Sequence, residues 1–139
     1  MPRVRTTAPL LALAVSAVAG ATAQAYTPKW LACDGKVTIE TRDQGKLQTK
    51  TEDVHDLYLY DDDNKNLFKH SDARKSDDIE PVTAYTDKEI RWGSKNMTIS
   101  GATWEGALDR TSLALKMVYR DPDGTRTWTE QCKPAQPPS

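Results

Sequence analysis

Alternating apolar and polar positions predict short β-strands along most of the chain. In the run 113–132, four apolar residues occupy every second position and would share one face of a strand: Leu113, Leu115, Met117 and Tyr119. The segment 121–124 (DPDG) follows with turn chemistry, because proline presets φ and glycine adopts positive φ at little cost. The returning segment 125–132 is rich in Thr and Trp, which favour strands. The run therefore predicts a β-hairpin.

The same alternation predicts further short strands separated by turns. They lie at 30–40, 47–52, 54–60, 67–68, 82–86, 90–92 and 97–99. We expect a bulge at Asp34-Gly35, an exposed loop over 71–80 and a bend at Gly106, from their glycines and lack of apolar side chains. About eight short strands without a long helix indicate an all-β fold. A small antiparallel meander barrel is favoured over a sandwich because closure hides strand edges.

The first residues have the pattern of a secretory signal. Arg3 and Arg5 precede an apolar run at 8–19, and small residues then offer a cleavage site after Ala25. We therefore predict a cleaved signal peptide at 1–25, a single β domain at 26–133 and a disordered proline-rich tail at 134–139. The apolar run is too short to span a bilayer, so we expect a periplasmic or secreted protein with no membrane span.

Two cysteines stand near opposite ends of the predicted domain. A bond between Cys33 and Cys132 would enclose almost all of it, and chain entropy would then contribute about 4–5 kcal/mol. Trp30-Leu31-Ala32-Cys33 also resembles a lipoprotein cleavage box loosely, but lipidation of Cys33 would leave Cys132 unpaired. We predict the disulfide, since an exported chain reaches an oxidising compartment.

The charge balance excludes one class of partner. The chain has 19 basic and 20 acidic residues, and cleavage after Ala25 would remove two basic residues and no acid, leaving a net charge of −3. The basic residues are scattered among acids, so no basic stripe is available for nucleic acid. We expect a partner among proteins or cell-envelope components, and we expect a monomer.

Candidate catalytic and metal-binding motifs are incomplete. The segment 61–66 (DDDNKN) resembles a calcium loop but has Lys65 and Asn66 where an oxygen ligand and a glycine belong. His70-Ser71-Asp72 contains triad residue types, yet adjacency in sequence is not triad geometry, and no GxSxG elbow is present. We therefore predict no metal, no cofactor and no enzyme, with a hydrolase using an unlocated acid pair as an alternative.

Aromatic residues are the stronger candidates for binding. Four tryptophans come from different predicted strands or bends: Trp30, Trp92, Trp104 and Trp128. We expect three of them in the core and Trp104 exposed beside Gly101. Tyr58 and Tyr60 share one face of a predicted strand and would form an aromatic binding surface, or would line the cavity of a lipocalin-like carrier.

The segment Ser100-Gly101-Ala102-Thr103-Trp104 resembles the S-G-x-x-Y loop of periplasmic inhibitors of C-type lysozyme. Those proteins are small exported β-barrels with a cysteine near each end. The resemblance implies that Ser100 would enter the lysozyme cleft and that Gly101 would allow close approach. Trp104 replaces the family's tyrosine, and the F-W-x-K-G segment that follows the loop in the family is absent.

The C-terminal half also resembles short exported bacterial β-proteins of unknown function. The likeness rests on Ile90-Arg91-Trp92, on the segment 108–112 (LDRTS) and on a hairpin that closes on cysteine. It implies no activity. The sequence thus predicts an exported, non-catalytic binding protein that acts through a surface loop or an aromatic face.

Overall fold

Residues 27–94 and 101–138 are described by a computed structural model, and they form nine strands and no helix. The strands are β1 (Lys29–Asp43), β2 (Lys46–Asp61), β3 (Asn66–Ser71), β4 (Ser76–Ile79), β5 (Val82–Tyr85), β6 (Glu89–Ser94), β7 (Thr103–Asp109), β8 (Ala114–Asp121) and β9 (Gly124–Ala135). Their order in the sheet is β4-β3-β2-β1-β9-β8-β7-β6-β5, and every pairing is antiparallel. The predicted all-β meander is confirmed as a curled half-barrel.

The predicted turns form because their residues satisfy the backbone locally. At the β8–β9 turn, Asp121 lies opposite Gly124, and its Oδ1 accepts the N–H groups of Asp123 at 2.8 Å and Gly124 at 2.9 Å. The β1–β2 turn places Gln44 and Gly45 at positive φ, which suits a tight two-residue hairpin connection. The hairpin turn predicted at 121–124 is therefore confirmed, and the β1–β2 turn forms by the same local chemistry.

The segments 47–52 and 54–60 belong to one strand, β2, and not to two. The exposed loop predicted at 71–80 is also wrong over its second half, where β4 pairs with β3. Sequence periodicity missed β4 because it is short and has no apolar face toward the core. Its pairing is supported by polar contacts, including the bond from His70 Nδ1 to Asp77 Oδ1 at 2.6 Å.

The two edge strands of the sheet, β4 and β5, are consecutive in the chain. Glu80 N–H donates to the carbonyl of Leu67 at 2.8 Å, which extends the pairing with β3. The carbonyl of Pro81 accepts the N–H of Gly93 at 3.0 Å, which begins the pairing with β6. Proline has no N–H to donate and suits the point where the chain changes partner. The curled sheet therefore brings its two edges together at this segment.

Two glycines that the sequence marked as a bulge and a bend lie within regular strands. Gly35 and Gly106 pair with both neighbouring strands without a register shift. A Cβ at Gly106 would lie 2.2 Å from the indole of Trp92, and one at Gly35 would lie 2.0 Å from the carbonyl of Thr129. These positions require glycine for close packing, so the predicted distortions are wrong.

The concave face of the half-barrel carries the core. Its buried cluster comprises Leu31, Cys33, Tyr58, Leu67, Ile90, Trp92, Leu108, Leu115 and Cys132. The disulfide is confirmed: Cys33 and Cys132 lie directly opposite each other on β1 and β9, with Cα atoms 3.9 Å apart. Cys33 therefore has no thiol left for lipidation.

The C-terminal strand extends beyond the predicted domain boundary. The last strand, β9, continues through Pro134 and Ala135, opposite Leu31 and Trp30. It therefore runs two residues into the segment predicted to be a tail. The predicted signal peptide at 1–25 and the strand at 97–99 lie outside the described residues.

Candidate functional site

The two tyrosines proposed as a binding surface face the interior. Tyr58 is buried in the core, with its ring centroid 6.1 Å from that of Trp92. Tyr60 is half-buried, and the Lys29 ammonium and the Arg110 guanidinium lie 5.8 and 5.3 Å from its ring centroid. The tyrosine face of β2 thus stabilises the fold, and a ligand at the outer surface would not meet it.

The loop that resembles the lysozyme-inhibitor motif is described only in part, because Ser100 lies outside the described residues. Gly101 adopts a φ of 74°, and Ala102 is buried. Trp104 lies within β7 opposite Tyr119, half-buried and packed against the core. The prediction that Trp104 is an exposed side chain in a bend is therefore wrong. Of the other tryptophans only Trp92 is fully buried.

The opposite face of β2 contributes to an apolar row on the outside of the sheet. Four side chains from adjacent strands lie directly opposite one another and form what we call the outer row: Trp30, Leu59, Phe68 and Ile79. Leu59 is only 3% exposed although it faces outward, because Trp30 and Phe68 flank it. Ile79 ends the row and is 65% exposed. Contiguous apolar surface of this kind is typical of interaction sites.

A polar border runs beside the outer row. The His70 ring packs edge-on against Trp30, with 5.6 Å between centroids. Its Nδ1 lies 2.6 Å from Asp77 Oδ1, and its Nε2 lies 3.2 Å from Asp72 Oδ1. These contacts hold the imidazole in place and leave two carboxylates at the margin of the apolar surface. An apolar centre with a polar margin matches the usual anatomy of protein interfaces.

The concave face carries an acid pair that sequence analysis did not find. Glu130 lies opposite Gly35, and Asp56 lies opposite Cys33, so the two acids approach over β1 from either side. Glu130 is 4% exposed, and neither of its carboxyl oxygens receives a hydrogen bond from an N–H or O–H donor of the described residues. Two carboxyls can bond to each other only by sharing a proton. Lys69 Nζ lies 3.3 Å from Asp56 Oδ1 and partly compensates the pair.

The electrostatics of this acid pair favour a protonated Glu130. Burial raises the pKa of Glu130 to about 8, and the hydrogen bond to Asp56 and its negative charge contribute further. Burial also raises the pKa of Glu80, and it raises that of the Tyr58 phenol well above its ordinary value, with the charge of Asp56 adding to the effect. The pair therefore holds a proton at neutral pH, with both carboxyl oxygens of Glu130 buried.

A second cluster joins the turn after β2 to the elements on the other side of the barrel. Asp62 accepts bonds from Arg110 Nη2 at 2.6 Å, the Tyr85 hydroxyl at 2.7 Å and Lys29 Nζ at 3.1 Å. Arg110 also donates to the carbonyl of Thr86 at 2.7 Å. These bonds and the burial of Arg110 connect the turn after β2 to the turn after β5 at one end of the half-barrel. We call this cluster the lock. The segment 61–66 is thus a hairpin tip whose Asp62 binds side chains of its own chain.

One surface cavity has a volume of about 600 Å³ and lies against the β5–β6 turn and strands β6 to β9. It is lined by Thr86, Lys88, Glu89, Ala107, Asp109, Ala114, Leu115, Lys116, Thr129 and Glu130. A second cavity, of about 250 Å³, lies beside the β8–β9 turn and has Tyr119 as its aromatic residue. Neither cavity has the several aromatic side chains that would favour a lipocalin-like carrier.

The buried acid pair has a signal in the sequence. Glu130 shares its strand face with Trp128 and Cys132, and Asp56 shares its face with Tyr58, so each acid interrupts a face that points inward. A charged residue at an inward position is uncommon and marks an unusual environment. The outer row had no such signal, because its four members come from four strands whose register the sequence does not reveal.

No family model matches the chain, and no curated protein or solved structure matches it either. Across the part of the chain that the structure describes, no helix has the length and apolar character needed to cross a membrane. Within the same residues, no group of three or more side chains is placed to hold a metal ion. The protein is a disulfide-linked, all-β half-barrel with an apolar row outside and an acid pair inside.

Proposed function

We propose that this is an exported, non-catalytic binding protein that docks a protein partner against the outer row. The observation that carries the proposal is a leucine, Leu59, buried on the outside of a sheet between two half-exposed aromatic rings, with Ile79 exposed beside them. Outward positions of a small barrel are ordinarily polar, and apolar ones have a cost in solubility unless they are covered. A partner with an apolar surface would bury Trp30, Phe68 and Ile79 together.

The rest of the molecule favours binding over catalysis. A general acid must reach the proton acceptor of its substrate within hydrogen-bond distance. The carboxyl oxygens of Glu130 are inside the protein, and Lys69 is engaged with Asp56, so the acid pair offers no such reach. Export is supported by the disulfide, which is typical of oxidising compartments, and by the signal-like pattern at 1–25.

Site-specific photo-cross-linking tests the proposal. p-Benzoylphenylalanine is placed at position 68 in the outer row, and at position 116 on the outer face of β8 as the matched control. We expect a discrete protein adduct from position 68 in the native host and none from position 116. The adduct should also weaken on the substitution Ile79→Ser, which removes apolar area at a side chain already 65% exposed and so leaves the fold intact.

Other outcomes overturn or redirect the proposal. Equal adducts from both positions indicate non-specific contact, and no adduct from position 68 refutes a docking role for the outer row. An adduct that resists protease and contains envelope polymer would show that the occupant is a cell-envelope component and not a protein.

A further inference from the structure

Residues 46–56 of β2, which we call the distal edge, are paired on one side only among the described residues. β1 pairs with β2 along its whole length, whereas β3 pairs only with the part of β2 that begins at Leu57. Among the described residues, the stretch 46–56 therefore has no strand beside it on the edge opposite β1. Its side chains are mostly exposed on both faces. Free backbone N–H and C=O groups along such an edge are a template for pairing with another strand.

Basic and acidic residues are segregated along this edge, and their order determines which strand can pair with it. Lys46 and Lys50 lie in its first half, and Glu52, Asp53 and Asp56 lie in its second half. An antiparallel copy of the same edge reverses this order and sets positive against negative. With Thr51 opposite its own copy, Lys50 lies opposite Glu52, and these two residues also form an ion pair within each chain at 2.5 Å. Lys46 lies opposite Asp56, which Lys69 of its own chain already contacts. Opposite charges on directly facing residues stabilise a strand pair.

The neighbouring registers are disfavoured by the same charges. A shift must keep each residue on its own face of the sheet, so the nearest alternatives centre on Lys50 or on Glu52. Either one places like charges directly opposite each other at the centre of the pair. The charged side chains along this edge therefore favour its own copy in this register over the two nearest ones.

We propose that two copies of this chain associate through these edges as a two-fold dimer with a continuous antiparallel sheet, in place of the monomer expected from the sequence. The symmetry axis passes beside Thr51, and each copy contributes the same strand, as an isologous interface requires. Directly opposite residues share a face, so the concave faces of both copies point to the same side of the sheet.

Cysteine cross-linking tests the register. The chain has no free cysteine, so a single introduced thiol is unique. Thr51→Cys places two thiols directly opposite each other across the axis. Thr49→Cys is the matched control, because Thr49 is also exposed and on the same strand face. In this register Thr49 lies opposite Asp53, so the two Thr49 residues of the dimer are about 13 Å apart along the strands. Disulfides require Cα atoms within about 7 Å.

We expect the Thr51→Cys protein to become mostly covalent dimer under mild oxidation and the Thr49→Cys protein to remain mostly monomer on a non-reducing gel. Equal cross-linking of the two variants would refute the register. Absence of cross-linking from Thr51→Cys would refute the dimer.

Charge exchange independently tests whether opposite charges at positions 50 and 52 hold the two copies together. The readout is the molar mass from light scattering. The parent should show about twice the mass of one chain. Lys50→Glu and Glu52→Lys should each return the mass to that of one chain, because each sets like charges opposite. The double exchange Lys50→Glu with Glu52→Lys restores opposite pairs and should restore the dimer. A parent with the mass of one chain, or single variants that stay dimeric, would overturn the proposal.

Discussion

Replacing the buried Glu130 by glutamine should remove a pH dependence from the stability of the protein. In the folded protein the pKa of Glu130 is raised from 4.5 to about 8, first by burial and then by Asp56. Between these two values the folded chain keeps the proton and the unfolded chain releases it, so rising pH favours unfolding. Stability from this group is complete below about pH 4.5 and is lost as the pH rises to about 8.

The size of the effect follows from the width of that interval. Each pH unit is worth about 1.4 kcal/mol, so the interval from 4.5 to about 8 sets an upper limit of about 5 kcal/mol. Asp56 and Lys69 are 16% and 35% exposed, and solvent screening at these partners reduces the effect to about 2–3 kcal/mol. Glutamine has nearly the shape of the protonated acid, so the variant should match the parent at pH 5.

Urea denaturation at pH 5, 6.5 and 8.5 measures the difference directly. We expect Glu130→Gln to equal the parent at pH 5 and to exceed its free energy of unfolding by about 2–3 kcal/mol at pH 8.5. The control Glu40→Gln, at an exposed position on β1, should follow the parent at every pH. Parallel pH profiles for parent and Glu130→Gln would refute a buried proton shared with Asp56.

Three other perturbations test the architecture. Arg110→Ala removes the bonds to Asp62 and to a backbone carbonyl, and should lower the unfolding free energy by about 2–3 kcal/mol in urea titrations; a change below about 0.5 kcal/mol would contradict the lock. Gly106→Ala forces a Cβ to within 2.2 Å of Trp92, so we expect a loss of at least about 2 kcal/mol and altered tryptophan fluorescence, and unchanged values would show that the strand can adjust. Reduction of the disulfide, which closes 99 residues, should cost about 4–5 kcal/mol by the chain-entropy relation, and equal urea midpoints with and without reductant would contradict it.

The candidate site was less visible in the sequence than the fold. Aromatic residues such as Tyr58 dominate binding surfaces but also fill cores. Only the direction of sheet curvature distinguishes the two roles, and it buries Tyr58. The glycines that flank Trp104 predict an exposed bend, yet Gly106 is present to admit the ring of Trp92. A glycine that permits close packing and one that permits a bend are identical in a sequence.

Local chemistry by itself determined the hairpins at 43–46 and 121–124, the alternation of β1 and β8, and the cysteine pair that joins the ends of the domain. Those features depend on neighbouring residues or on the only two thiols of the chain. Strand register and sheet curvature decided the rest, since they join residues distant in sequence. They place Glu130 beside Asp56, align the outer row across four strands and leave the distal edge of β2 without a neighbour in the described residues.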